Sequence, residues 1–216
     1  MDDKRLFPEL GVGRLPMNTS NSFEGAFKRE LDIGLFAFDI ETFSPRGFPS
    51  QAEDPIVNFS LVSPLTEGGV VAFSAIVKPN FERELLLLLY RLLSNLGGAC
   101  LLTYNGLRFD VRYVLQRGGL YGLNFEDAFE NFCHVDVYRL LRWLDVGFPR
   151  YDQKTVECCL GIVRAIRQVS GKNYHLFYND FVRIGNLTPM FYNIEDSFGC
   201  LKIASNIRSL LVRRQR

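Results

Sequence analysis

Runs of apolar residues with two different spacings divide this chain into strands and helices. Gly34-Leu-Phe-Ala-Phe-Asp-Ile40 is continuously apolar until it ends near an acid, the pattern of a central strand covered on both faces. Residues 56–62 and 70–77 then alternate in strand fashion, and Gly68-Gly69 between them signals a hairpin. Three strands in succession predict an antiparallel meander. Residues 81–96 are apolar along their length, with Asn80 as a cap and Gly97-Gly98 as the stop, which predicts a buried helix. A short strand over 99–104, a turn at Gly106 and a helix over 110–117 stopped by Gly118-Gly119 follow. Residues 132–135 predict another strand, and 136–144 and 155–160 predict amphipathic helices. No pattern is readable over 163–190. Residues 192–211 run helically, with Ile194, Phe198, Leu201, Ile203 and Ala204 on one broad apolar face.

This order packs naturally as one mixed β-sheet, three antiparallel strands and then parallel additions, flanked by helices. The expected fold class is an α/β domain of ribonuclease H-like type. Residues 1–30 carry turn formers (Pro8, Gly11, Gly13, Pro16) and little periodicity, so they are expected to form an N-terminal extension to a domain over 31–216. A length of 216 residues suits one sizeable core. A hydrophobic fraction of 47% excludes a largely disordered chain.

Lys and Arg number 25 against 24 Asp and Glu, so no global basic field advertises nucleic-acid binding. A bound polyanion would need a local basic patch or a bound metal. The five cysteines are scattered without CxxC spacing, which argues against zinc and for a reducing compartment. The run Leu85–Tyr90 is too short to span a bilayer, and Asp2 and Asp3 open the chain where a signal peptide would be basic and then apolar. A cytoplasmic protein without a membrane partner is the expectation.

The acids form three clusters. Asp39 and Glu41 stand at i and i+2 on the first strand, so both point to one face. Two like charges at the end of a buried strand repel each other unless a cation offsets them, although a loop-capping Asp beside a solvated Glu has the same spacing. In Thr103-Tyr-Asn-Gly-Leu-Arg-Phe-Asp110 a strand ends, a glycine turns the chain and Asp110 opens a helix, where it also suits the helix dipole. Tyr192 and Asp196 stand at i and i+4 and share one helix face.

Taken in order, Phe-Asp-Ile-Glu-Thr, then Asn-x-x-x-Phe-Asp, then Tyr-x-x-x-Asp resembles the three exonuclease motifs of the DEDD superfamily of 3′→5′ exonucleases. Within it the chain is most similar to the DEDDy-type exonuclease domain of family-B DNA polymerases, over roughly residues 35–203, and is read as a free-standing relative. Asp54-Pro-Ile-Val-Asn-Phe-Ser, His134-Val-Asp-Val-Tyr and Lys154-Thr-Val-Glu-Cys-Cys-Leu-Gly extend the likeness. The resemblance implies a metal-dependent exonuclease that releases 5′-mononucleotides from single-stranded DNA. It also implies two divalent cations, Mg²⁺ or Mn²⁺, with Asp39 bridging both, Glu41 and Asp196 completing the first site and Asp110 holding the second. Tyr192 would orient the attacking water, and Thr42, Phe43, Asn105 and Phe109 would contact substrate. Carboxylate oxygens suit such hard cations, and a cation pair suits phosphodiester hydrolysis.

Phe43 and Phe48 could stack on the terminal base, and Arg208, Arg213, Arg214 and Arg216 could meet phosphates. Ordinary loop packing and a solvated helix end are the alternatives. His175-Leu-Phe-Tyr-Asn-Asp180 competes for the third motif, because it has the His-x-x-x-x-Asp spacing of the superfamily's histidine branch. The rival functions are a 3′→5′ exoribonuclease of the same chemistry and a non-catalytic nucleic-acid-binding protein on the same fold. A DNA polymerase or repair partner is compatible with the resemblance.

Overall fold

The computed structural model describes residues 34–49, 52–65, 68–96 and 98–214, with side chains to residue 207. The extension expected over 1–30 lies outside the described residues, as do the side chains of Arg208, Arg213, Arg214 and Arg216. A five-stranded sheet organises the fold, in the spatial order β3-β2-β1-β4-β5. The strands are β1 (Leu35–Thr42), β2 (Ile56–Pro64), β3 (Val70–Ile76), β4 (Cys100–Thr103) and β5 (Cys133–Asp136). β1 pairs antiparallel with β2 and β2 with β3, while β4 joins β1 and β5 joins β4 in parallel. The expected meander with parallel additions is therefore the observed topology.

The helices are α1 (Glu82–Asn95), α2 (Asp110–Leu120), α3 (Phe125–Glu130), α4 (Val137–Leu144), α5 (Gln153–Cys159), α6 (Tyr174–Ile184) and α7 (Thr188–Arg214). The two-residue period of β1 sorts its side chains between the layers. Phe36, Phe38 and Ile40 pack on one face with α1, α2 and α3, in a core built around Leu85, Leu86, Leu89 and Phe125. Leu35 and Ala37 face the other way, toward α4, α5 and α7. Asp39 and Glu41 continue this second series, so the period that buries Leu35 and Ala37 also aims both acids at α7.

Several local expectations change. The α1 start is not capped by Asn80, which lies in a single 3-10 turn over Pro79–Phe81 that leads directly into the helix. Proline at the head of that turn supplies a preset φ and lacks only an N–H that would go unpaired. α2 does not stop at Gly118 but runs to Leu120. Gly118 is needed for packing, since a Cβ there would stand 2.3 Å from the Phe125 ring. β2 does not alternate between core and solvent; its first eight residues are all buried, because both faces are covered. α3 and α6 fill stretches that gave no clear pattern, and α7 begins four residues earlier than expected, at Thr188.

Candidate active site

α7 crosses the sheet against β1 and β2. Polar groups on β2 set its position. Ser60 Oγ donates to the Asn193 carbonyl at 2.9 Å and lies 2.7 Å from Ser197 Oγ, while Asn58 Nδ2 reaches the Pro189 carbonyl at 3.3 Å. Small buried polar residues on the strand let the helix approach closely and satisfy groups that would otherwise be unpaired. The Asn193 side chain donates to Asp39 Oδ2 at 2.6 Å. The resulting register brings Asp196 against the two strand acids. Ligand oxygens of Asp39, Glu41 and Asp196 all lie within 4.8 Å of one another.

Asp110 joins from the opposite side of β1. Its Oδ1 accepts the Ile40 amide at 3.2 Å, so the acid is bound to the strand backbone between Asp39 and Glu41. The preceding turn is tightly constrained. Asn105 adopts a left-handed φ of 62°, and a Cβ at Gly106 would fall 2.4 Å from Thr103 Cβ. Asp136 braces the turn by accepting Asn105 N at 3.0 Å and Leu107 N at 3.2 Å. It also caps α4 through Arg139 N.

Electrostatics mark this cluster. Burial, and then the charges of Asp110, Asp196 and Glu41, raise Asp39 well above the usual carboxylate range. Burial and the charges of Asp196 and Asp110 do the same to Glu41. Burial pushes Asp110 up to about 7 against the opposing pull of backbone N–H donors. Asp196 is raised by burial while Arg164 draws it down. Carboxylates that raise one another favour protonation when alone, and a divalent cation removes that cost. The donor set is all hard oxygen, within reach of one ion, with a fourth acid alongside. These residues fit Mg²⁺ or Mn²⁺.

Tyr192 is buried, with its ring 6.2 Å from that of Tyr174 and the Lys154 ammonium 4.9 Å above it. Burial and the nearby Asp196 and Glu41 hold its phenol protonated far into the alkaline range. Of the expected substrate contacts, Thr42 is buried with Oγ1 2.7 Å from Ser44 Oγ. Phe43 packs its ring 5.0 Å from Tyr178. Phe48 is 79% exposed and lies 5.0 Å from Phe109, the neighbour of Asp110. His175 and Asp180 both lie on α6, where Asp180 pairs with Arg183 at 2.9 Å. It is Asp196 whose oxygens meet those of Asp39 and Glu41.

Sequence reasoning missed Asn193, Arg164, Glu157 and the bracing role of Asp136. Asn193 stands inside Tyr-x-x-x-Asp and Asp136 inside His-Val-Asp-Val-Tyr, so position within quoted motifs was the available signal. Arg164 lies in the stretch without a readable pattern, and its Nη1 meets Asp196 Oδ1 at 2.5 Å.

A carboxylate cluster at the end of the central strand, on a mixed sheet of order β3-β2-β1-β4-β5, defines the class: the chain belongs to the RNase_H superfamily, whose family model matches residues 36–204. Among solved structures it is similar to the family B DNA polymerase of the hyperthermophilic archaeon Pyrobaculum calidifontis, with TM-score 0.60 and 17% identity over 77% of this chain and 24% of the polymerase. It is also similar to E. coli exonuclease I in complex with a dT13 oligonucleotide, with TM-score 0.50 and 14% identity over 74% of this chain and 42% of the exonuclease. The chain thus spans about a quarter of the one and under half of the other, and at these identities the likeness is one of fold. No curated protein matches it in sequence. Among the described residues no helix is long and apolar enough to cross a membrane.

Proposed function

We propose that this protein is a metal-dependent 3′→5′ exonuclease that hydrolyses single-stranded DNA from its 3′ end with a pair of divalent cations, releasing 5′-mononucleotides. The observation that carries the reading is the convergence of Asp39, Glu41 and Asp196, with Asp110 held against the same strand. The fold it shares with a DNA polymerase and an exonuclease supports it. Asp39, Glu41, Asp110 and Asp196 would hold Mg²⁺ or Mn²⁺, which when bound supplies Lewis acidity and lowers the pKa of water.

The chain's own groups do the rest. The Tyr192 phenol stays protonated and donates toward Asp196, and it is the group assigned to orient the attacking water once a cation engages that carboxylate. Exposed Phe48, resting on the half-buried ring of Phe109 next to Asp110, offers an aromatic surface on which an unpaired terminal base can stack. Asn105 and Thr42 lie at the ends of β4 and β1 within the same two motifs and are the polar contacts assigned to the terminal sugar and phosphate. A near-neutral chain can receive a polyanion here because bound cations carry the local positive charge.

The test uses 5′-labelled linear DNA and RNA strands, blunt duplex and circular single strand, each with Mg²⁺, Mn²⁺ or chelator. Ladders shortened from the 3′ end of linear single-stranded DNA are expected with either metal and not with chelator. Blunt duplex should be cut more slowly, since unpairing and unstacking an end costs on the order of a few kcal/mol. Preferred cutting of RNA would reassign the substrate, and efficient cutting of circles would make the protein an endonuclease.

A further inference from the structure

Glu157 is a charged side chain with no part in the acid cluster, yet it is only 1% exposed. It lies on α5 facing α7. Its two oxygens receive Arg164 Nε and Nη2, the second at 2.8 Å. Oε1 also accepts Gln153 Nε2 at 2.9 Å, and the same amide group donates to the Asp196 carbonyl at 2.7 Å. The remaining Arg164 nitrogen, Nη1, meets the Asp196 carboxylate. Glu157 thus grips Asp196 twice at second hand, through its side chain by way of Arg164 and through its backbone by way of Gln153.

α7 is shaped to receive it. A Cβ at residue 199 would stand 1.9 Å from Glu157 Oε1, so any larger residue there would displace the Glu157 carboxylate from its observed place; the glycine sits in the interior of a 27-residue helix, where it is otherwise disfavoured. Gly199 is three residues beyond Asp196, on the adjoining turn. An arginine beside Asp196 with no partner of its own would draw off that carboxylate's charge and repel a cation. Paired with Glu157, the guanidinium is already balanced. It can fix the Asp196 rotamer by contact while adding no net charge.

We propose that Glu157 is a positioning residue for the acid cluster: it holds Arg164 as half of a neutral pair, so that Asp196 is oriented and still free to take a divalent cation. The inference rests on the metal-dependent reading above and names a group that acts on it without touching metal or substrate.

Mn²⁺ binding to the full chain, read from the EPR signal of free Mn²⁺, tests it alongside cleavage kinetics. Glu157→Gln leaves Arg164 uncompensated and should weaken Mn²⁺ binding about tenfold, with wild-type circular dichroism. The double variant Glu157→Gln/Arg164→Met removes both charges together and should bind Mn²⁺ to within about threefold of wild type, while kcat stays low because Asp196 has lost its brace. A merely structural Glu157 would lower the melting temperature and leave Mn²⁺ affinity unchanged. A folded Glu157→Gln protein with wild-type affinity, or a double variant that binds no better than the single one, overturns the proposal. Should the single variant fail to fold, a folded double variant that binds more than about tenfold more weakly than wild type also overturns it, since no net charge has changed. Wild-type protein that binds no Mn²⁺ removes the metal-dependent reading itself, and this inference with it.

Discussion

Asn193 Nδ2 donates to Asp39 Oδ2 at 2.6 Å, joining residues 154 positions apart. The Asn193 carbonyl accepts Ser60 Oγ at 2.9 Å, so one residue of α7 registers the helix against both β1 and β2. Asn193→Ala removes a side-chain donor that lowers Asp39 and should destabilise the fold by about 1–3 kcal/mol, the cost of losing one partner of a buried hydrogen bond. Cleavage should fall by roughly tenfold in protein that remains folded, since Asp39 is no longer oriented. Thermal melts and kinetics on the same preparation check both.

Asp39→Asn should reduce cleavage by about a thousandfold, because several kcal/mol of transition-state stabilisation depend on the cations this acid helps hold. Its metal-free melting temperature should rise, since a member of a mutually repelling set becomes neutral. Wild-type cleavage by a folded Asp39→Asn protein would end the carboxylate mechanism.

Stability should depend on pH in a defined direction. Asp110 is raised to about 7 from the ordinary carboxylate value of 3.8, and Asp39 and Glu41 are raised as well. A carboxyl with a raised folded-state pKa binds more protons in the native than the unfolded state, so its contribution is present at low pH and is lost as pH rises. Buried His134 runs the other way. Burial lowers it to about 4, so its contribution is lost as pH falls below its unfolded value near 6.5. Between about pH 6.5 and 8 the three raised acids outweigh the fading opposite effect of His134, and the metal-free melting temperature should fall across that window. Saturating Mn²⁺ should flatten the slope. A melting temperature that rises from pH 6.5 to 8 without metal would contradict the acid cluster's electrostatics.

Tyr192→Phe and His175→Ala separate the two candidates for the third motif. Tyr192→Phe should lower kcat by about tenfold to a hundredfold while leaving Mn²⁺ affinity near wild type, the signature of a lost water-orienting hydrogen bond. His175→Ala should change either value little. Loss of all activity in the histidine variant alone would move the site to Asp180.

Phe48→Ala should cost a single-stranded substrate about 1–3 kcal/mol of binding, the range for one base–aromatic stack, and appear in KM more than in kcat. The 79% exposure of Phe48 predicts that the melting temperature barely moves. Equal losses of KM and stability would make the ring a packing residue of Phe109.

The strands and most helices were legible because their signals are local. A period of two along β1 put Asp39 and Glu41 on one face before any tertiary contact was known, and the turn before Asp110 announced itself through Gly106. α6 was harder to read, although Tyr174, Phe177, Tyr178 and Phe181 have helical spacing. Aromatic residues are weak helix formers, and Gly171, Gly185 and Pro189 punctuate the surrounding stretch. Packing against Val57 and Tyr192 holds that helix in place. The asymmetry at the site has the same origin. Which acids belong to the motifs was written along the chain, but whether Asp196 or Asp180 would meet the first strand depended on how α7 seats on Asn58 and Ser60. The Glu157–Arg164 brace depended on a glycine one helical turn beyond Asp196. Contacts between residues far apart in the chain leave no periodic trace, so the tertiary structure alone decided them.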